Sequence, residues 1–252
     1  APTYWGEKIF TSGAVYVGAV VFFLFVLGII IVQGAYKWAL LIATIFSILL
    51  AWGHNFMPMT ELFFNYFPMY NKFRAVESIL IVAEITIPLL AFMAIQRLID
   101  DRQDASAHKK NMNALYIAAG ITAGVCLLFA LFGKSFTSFT SSYDAQWKAQ
   151  VGEPIYQMIV DQRAAMMVAD AWRSFIFVAL TFLLLWVYMR KQFNVLALGC
   201  ALTVLTVVDM WPVNKRFCND DMYVSEKKFS NSFAMQPYEK YLLESDTTHY
   251  RV

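Results

Sequence analysis

The sequence places Lys72 and Arg74 directly after an aromatic stretch, "ELFFNYFPMY", which lies between two apolar runs. Two cations beside aromatic rings suit a phosphate carried on a lipid. An ammonium and a guanidinium bind phosphate oxygens by charge-assisted hydrogen bonds, and the rings favour the depth where hydrocarbon meets water. Asn55, Tyr66 and Tyr70 add neutral hydrogen-bonding groups to the same segment, and Glu61 and Glu77 add carboxylates that could serve as a general acid or base. A plainer reading stands beside this one. Arg74 and Glu77, three residues apart, can pair on one helix face, while Lys72 reaches for water over its own methylenes.

Glu84 is the third acid of interest. It lies about ten residues past Arg74, roughly 15 Å further along a helix, inside the apolar stretch "ESILIVAEITIPLLAF". An intramembrane carboxylate is costly and points to function by default. Pro88, four residues on, cannot donate a backbone hydrogen bond to the Glu84 carbonyl, which weakens the helix there. A neutral Glu84 hydrogen-bonded to a neighbouring helix fits the same residues.

These groups need a scaffold, and composition says which kind. The 252 residues are 59% hydrophobic and only 15% charged, with mean hydropathy +0.52, whereas soluble domains carry about 25% charge. Apolar runs long enough to cross a bilayer recur, so the chain reads as an all-α polytopic membrane protein. A net charge of +2 with dispersed basic residues excludes a nucleic-acid-binding surface. Cys126 and Cys200 lie inside apolar runs and Cys218 stands apart, which supports neither a disulfide framework nor a metal site.

Six spans are predicted: 13–32, 35–52, 75–96, 113–132, 174–189 and 195–210. Short links such as "QGA" and "RKQFN" force antiparallel neighbours. The transmembrane region is expected to occupy 1–211, and the polar residues 212–252 to begin a soluble extracytoplasmic region with one short helix near "PYEKYLLES". Lys37, Arg97, Arg102, Lys109, Lys110, Arg190 and Lys191 gather in short loops on one side, which the positive-inside rule assigns to the cytoplasm. Segment 53–74 and the tail then lie outside it.

Two further segments border the spans. Pro58 and Pro68 delimit about two helical turns, with Met59, Leu62, Phe63 and Tyr66 on one face and Glu61 and Asn65 on another. That pattern predicts a short interfacial helix. Residues 133–150 read as a polar, Ser/Thr-rich connection. From Pro154, an apolar stripe of Ile155, Met158, Ile159, Met166, Ala169 and Trp172, with Asp161, Arg163, Asp170 and Arg173 off it, fits either a helix lying on the membrane or one long helix leaving it.

The stretches "APTYWG", "NFMPMTELFFNYFPMYNKFRAVESILIVAEITIPLLA", "ADAWRS" and "DMWPVNKRFCNDD" resemble the bacterial YfhO-type membrane proteins. The similarity covers essentially the whole chain and is most specific over 55–88 and 209–221. Asn55, Pro58, Tyr70, Asn71, Lys72, Phe73, Arg74, Glu84 and Pro88 match the family's central motif, Asp170 and Arg173 a second, and Asp209, Asn214, Lys215 and Arg216 a third. His54 departs from the family's pattern, which usually has another polar or basic residue there. Family members are longer and are similar to GT-C glycosyltransferases, which take a sugar from a polyprenyl-phosphate donor on the extracytoplasmic side and modify cell-envelope acceptors.

The resemblance therefore implies a bacterial inner-membrane enzyme segment. Its partners would be membrane lipids, a polyprenyl-phosphate sugar and the remainder of a full-length chain. The donor site would draw on Lys72, Arg74, Asn55, Tyr66, Tyr70 and Arg173, and Glu61, Glu77 and Glu84 are the available acids. No cofactor is evident. Some GT-C enzymes use a divalent metal, but the sequence shows no ligand cluster with metal spacing. The start "APTYWGEKIF", without an initiator Met, and the abrupt end "THYRV" suggest a late portion of a larger protein, inactive by itself. Two alternatives keep the same residues: a lipid-linked sugar transporter or flippase switched by Glu84, and a non-catalytic envelope assembly protein.

Overall fold

The computed structural model describes residues 15–72, 75–141, 144–190, 194–235 and 237–245. All regular structure among them is helical. The chain divides into two units, residues 1–213 and 214–252.

In the first unit, helix α1 (Ala19–Ile31) is joined by a tight link to α2 (Ala35–Ala51), and a turn of 3-10 helix leads to α3 (Met57–Tyr66). After a further 3-10 turn at Val76–Ile79 come α4 (Leu80–Asp100) and α5 (Ala105–Phe136). Then follow the short α6 (Asp144–Val151), the 37-residue α7 (Glu153–Met189) and α8 (Val195–Phe217). The main packing contacts join α5 to α7, and α1 to α4, α5 and α7, while α2 lies against α4.

Four helical stretches are long and apolar enough to cross a membrane: Val76–Gln103, Ala105–Phe136, Glu153–Met189 and Val195–Met222. The number rises to five if α2 and its continuation, bent by 111° at Gly53, form one span. Six spans were expected, and the difference lies at the N-terminus. Helix α1 has 13 residues because it begins only after Gly18, whose φ of 88° is outside the helical region. The start of the predicted first span, residues 13 and 14, lies outside the described residues.

Helix α1 is instead the centre of the core. Val20, Phe23 and Leu27 are fully buried, and they pack with Leu90, Ala94 and Leu98 of α4, Leu115 and Ala118 of α5, and Leu185 of α7. Gly28 lets α1 and α4 come close: a Cβ there would stand 2.7 Å from the Leu90 carbonyl oxygen. Small residues at such crossings allow the backbone approach from which membrane helices draw packing energy. A polar link fastens α2 to α4, where the Thr44 and Thr86 hydroxyls lie 2.7 Å apart in the buried interface.

Other boundaries moved too. Helix α5 starts at Ala105 and absorbs much of the expected charged loop, because Asp104 caps it by accepting from the amides of Ser106 and Ala107. Of the two readings for residues 154–189, the structure has the single long helix. At ~1.5 Å per residue it measures about 55 Å, against a hydrocarbon core of about 30 Å. Its expected apolar stripe faces outward, with Ile155, Met158 and Trp172 exposed, while Tyr156, Arg163 and Ala164 are buried.

Pro88 sits inside α4 without ending it. Prolines 58 and 68 delimit α3 as read: Pro58 is in its first turn, and Phe67, just before Pro68, leaves the helix with extended backbone. In the second unit, described by itself, α9 (Glu226–Ser232) and α10 (Pro237–Ser245) are short helices, the latter on the "PYEKYLLES" stretch.

Candidate functional site

Connectivity sorts the first unit into two ends. The link after α1 and the turn between α4 and α5 lie at one end. The start of α1, residues 53–72 and 75–79, α6 and the start of α7 lie at the other. The described residues singled out for chemistry fall on or toward this second end, where three distinct polar or aromatic assemblies form.

The first assembly is the aromatic shelf. Phe63 of α3 stacks against Phe46 of α2 (centroids 5.5 Å apart), Phe67 (5.4 Å) and Tyr70 (5.6 Å). Thr60 donates to the Gly53 carbonyl at 2.6 Å, which closes the bend between α2 and α3. The face expected to unite Met59, Leu62, Phe63 and Tyr66 splits. Phe63 turns inward, whereas Leu62 and Tyr66 are exposed, Tyr66 at 81%. The turn after Phe67 rotates the shelf by placing Met69 at φ 64°, so Tyr70 comes back onto Phe63 in place of Tyr66. Lys72, Asn55 and Glu61 are exposed on this shelf and Glu77 is half-buried. Arg74, with Phe73, lies outside the described residues. The Tyr70 hydroxyl is buried and, among the described residues, has no hydrogen-bond partner.

The second assembly joins three chain-distant segments. Asp209 of α8 is fully buried and accepts from the Tyr16 hydroxyl at 2.9 Å and from the α1 amides of Ala19 at 2.6 Å and Val20 at 3.3 Å. A helix start has amides without intrahelical acceptors, and an anion there is favoured by the helix dipole. Gly18 has no side chain to cap α1, so a carboxylate from another helix does it. A Cβ at Gly18 would stand 3.1 Å from that carboxylate.

Arg173 of α7 completes this group. It donates to the Tyr16 hydroxyl at 3.2 Å, lies over the Tyr16 ring at 5.5 Å, and keeps its Nε 3.9 Å from Asp170. Among the described residues, its Nε and Nη1 are nevertheless buried without an acceptor at hydrogen-bond distance. The polar partners of Arg173 belong to α7 and to the approach to α1, not to segment 53–72.

The third assembly was not foreseen. Arg163, read as a polar residue off the apolar stripe, is 2% exposed. It makes a two-pronged ion pair with Asp144, Nη1 to Oδ2 at 2.6 Å and Nη2 to Oδ1 at 3.0 Å, and also donates to the Phe139 carbonyl at 2.9 Å. The Ser141 amide and the Tyr156 hydroxyl donate to the same carboxylate at 2.9 and 3.4 Å. The Arg163 hydrogen bonds hold the Asp144 carboxyl below the usual carboxylate range, against the opposing effect of burial, with the Ser141 amide assisting. This clasp ties Phe139, Ser141 and Asp144, from a stretch expected to be a polar connection, to the first half of α7.

Glu84 belongs to none of the three. It is exposed on α4, on the outward stripe with Ile81 and Ile85. Among the described residues no group of three His, Cys, Asp or Glu is placed to hold a metal ion. Comparison of the chain with known protein families, curated proteins and solved structures gives no match. The class stated by the fold itself is that of a multi-pass helical membrane protein.

Proposed function

We propose that this protein is part of a bacterial inner-membrane GT-C-like glycosyltransferase of the YfhO type. It would use a polyprenyl-phosphate-linked sugar to modify a cell-envelope acceptor, and the end carrying the shelf would face away from the cytoplasm. The observation that carries the reading is Arg173. Its guanidinium is anchored over Tyr16 beside the Asp209 cap, yet among the described residues two of its nitrogens are buried with no acceptor at hydrogen-bond distance. Leaving buried charged donors unpaired costs free energy unless a ligand supplies acceptors, and a phosphate does so with fork geometry that guanidinium matches.

Further support comes from the sequence motifs. Asp170 and Arg173 belong to one, Asp209 to another, and the fold brings them to one place although they lie far apart in the chain. Lys72, the Tyr70 hydroxyl and the shelf rings stand at the same end, where a polyprenyl chain would lie against apolar surface and its phosphate against cations. Glu61 and Glu77 are the acids available to an acceptor hydroxyl. The transporter alternative rested on a helix broken near Glu84; α4 runs unbroken through Pro88.

The test is binding rather than turnover, since the chain by itself is expected to be inactive. Purified protein in nanodiscs is titrated with a fluorescent polyprenyl phosphate, alongside Arg173→Gln and the double variant Lys72→Gln/Arg74→Gln. Tenfold or greater weakening in both, with the uncharged polyprenol binding no variant differently, supports the reading. Unchanged affinity in both folded variants overturns it.

A further inference from the structure

Glu84 stands on an apolar span and faces away from the rest of its unit. Along α4 the next charged residue is Arg97, thirteen positions or about 20 Å further on. A hydrocarbon core is about 30 Å thick, so with Arg97 at one boundary the Glu84 carboxyl is roughly 10 Å inside the other. Its two methylenes are too short to carry it to water as the longer stems of lysine and arginine do. Ile81, Ile85, Leu89 and Phe92 are exposed around it, whereas Ala83, Thr86, Ile87 and Leu90 are the buried side of α4, which packs on α1 and α2. No helix of this unit meets the carboxyl: among the described residues Glu84 makes no hydrogen bond or ion pair.

A second acceptor belongs to the same residue. Pro88 has no amide hydrogen, so the Glu84 carbonyl lacks the donor four residues on that a helix interior normally supplies. Two acceptors at one point of an apolar surface call for donors brought by another helix, because hydrocarbon offers none. A second copy of this chain does not bring them. Its apolar stretches 19–31, 38–51, 80–95, 114–133, 174–189 and 195–208 contain no lysine, arginine, histidine, asparagine or glutamine. A copy would therefore set a second Glu84 against the first, like against like. We propose that this face of α4 packs against a transmembrane helix of a partner membrane protein that carries a lysine or arginine at the depth of Glu84. The cation pairs with the carboxylate and has further N–H groups for the freed carbonyl. Apolar side chains of the partner lie among Ile81, Ile85, Leu89 and Phe92, which recur at the spacing of one helix face. This surface is separate from the Arg173 assembly and stands whether or not the glycosyltransferase reading does.

The experiment places the full chain, labelled with a fluorescent donor, in phosphatidylcholine liposomes with an acceptor-labelled leucine–alanine transmembrane peptide. One peptide carries a single lysine about 10 Å inside one boundary, and its control has leucine there. Energy transfer gives the affinity of each peptide for the wild type, for Glu84→Leu and for Glu84→Gln, with thermal unfolding as the check on folding. The lysine peptide is expected to bind the wild type about tenfold or more tightly than the control. Glu84→Leu should abolish that preference, and Glu84→Gln, which keeps an acceptor without the charge, should retain only part of it. Equal binding of the two peptides, or a preference that persists in folded Glu84→Leu, overturns the proposal. If Glu84→Leu does not fold, an undiminished preference in Glu84→Gln overturns it. Self-association that is lost in Glu84→Leu, with the lysine peptide binding no better than its control, also overturns it by giving the face to a second copy.

Discussion

The two buried arginine assemblies on α7 share a helix and differ in how completely they are satisfied. Arg163 meets a carboxylate with both prongs and a backbone carbonyl besides, while its partner Asp144 collects an amide and a tyrosine hydroxyl. Arg173 faces a looser carboxylate, Asp170, 3.9 Å from its Nε and beyond hydrogen-bond distance. The nearest buried one, Asp209, is turned to the start of α1 and reaches Arg173 only through Tyr16. A saturated pair holds structure together and offers nothing to a ligand. An unsaturated one is less help to stability and keeps binding capacity, which is how buried charge is commonly deployed at functional sites.

The sharpest way to break that contrast is to remove one partner of the saturated pair. Asp144→Ala leaves a buried guanidinium without its counter-ion and should destabilise the protein by about 3–5 kcal/mol, read as a drop in thermal unfolding temperature in detergent. A loss under about 1 kcal/mol would mean that water reaches Arg163 and that the clasp is a surface feature. Next in size is Asp209→Ala. It strips an acceptor from the Tyr16 hydroxyl and from the first amides of α1, at about 1–3 kcal/mol, and amide hydrogen exchange should rise first at Ala19 and Val20.

Acid provides a gentler version of the first test. Because Arg163 holds the Asp144 carboxyl below its ordinary value, the folded state binds that proton less readily than the unfolded chain. The stabilisation is present in full above the ordinary carboxylate range near pH 4 and fades as pH falls through the depressed value. Asp144→Asn should flatten this part of the acid limb of a stability–pH curve; an identical limb in the variant would show that other carboxylates carry it. The smallest expected change in stability is Arg173→Gln. Since Arg173 makes one hydrogen bond, to Tyr16, the unfolding free energy should move by about 1 kcal/mol or less, while polyprenyl-phosphate affinity falls. A large destabilisation with unchanged binding would make Arg173 the structural equal of Arg163.

The legible parts of this fold follow from local rules. Apolar runs gave α4, α5 and α8 their type and approximate place, and the two prolines bounded α3 within a residue or so. The charged stretch before α5 was misread as a loop because one residue, Asp104, supplies the cap that makes it helical. What escaped was partnership at a distance. Asp144 stands in a Ser/Thr-rich segment and Arg163 among solvent-seeking neighbours, and nothing in either stretch names the other. Tyr16 was not singled out in the sequence, since its hydrogen-bond partner Asp209 lies 193 positions away. Asp209, an acid at the end of an apolar run, was at least visible as unusual. Periodicity reports which face is apolar, but in a membrane protein an apolar face can point outward as well as inward. For that reason the stripe of Ile155, Met158 and Trp172 is exposed and the charged Arg163 is inside.

The unbroken course of α7 makes it a gauge as well as a wall. The ten residues from Arg163 to Arg173 correspond to about 15 Å along the rod, and the fifteen from Arg173 to Tyr188 to about 22 Å more. Arg102 stacks on the Tyr188 ring at 4.4 Å near its far end. With no proline or glycine after its first turn to absorb a bend, the helix registers three stations at constant spacing: the Asp144 clasp, the open guanidinium and the turn that carries Arg102. A bilayer that thickens or thins therefore cannot shift one station along the rod without carrying the other two.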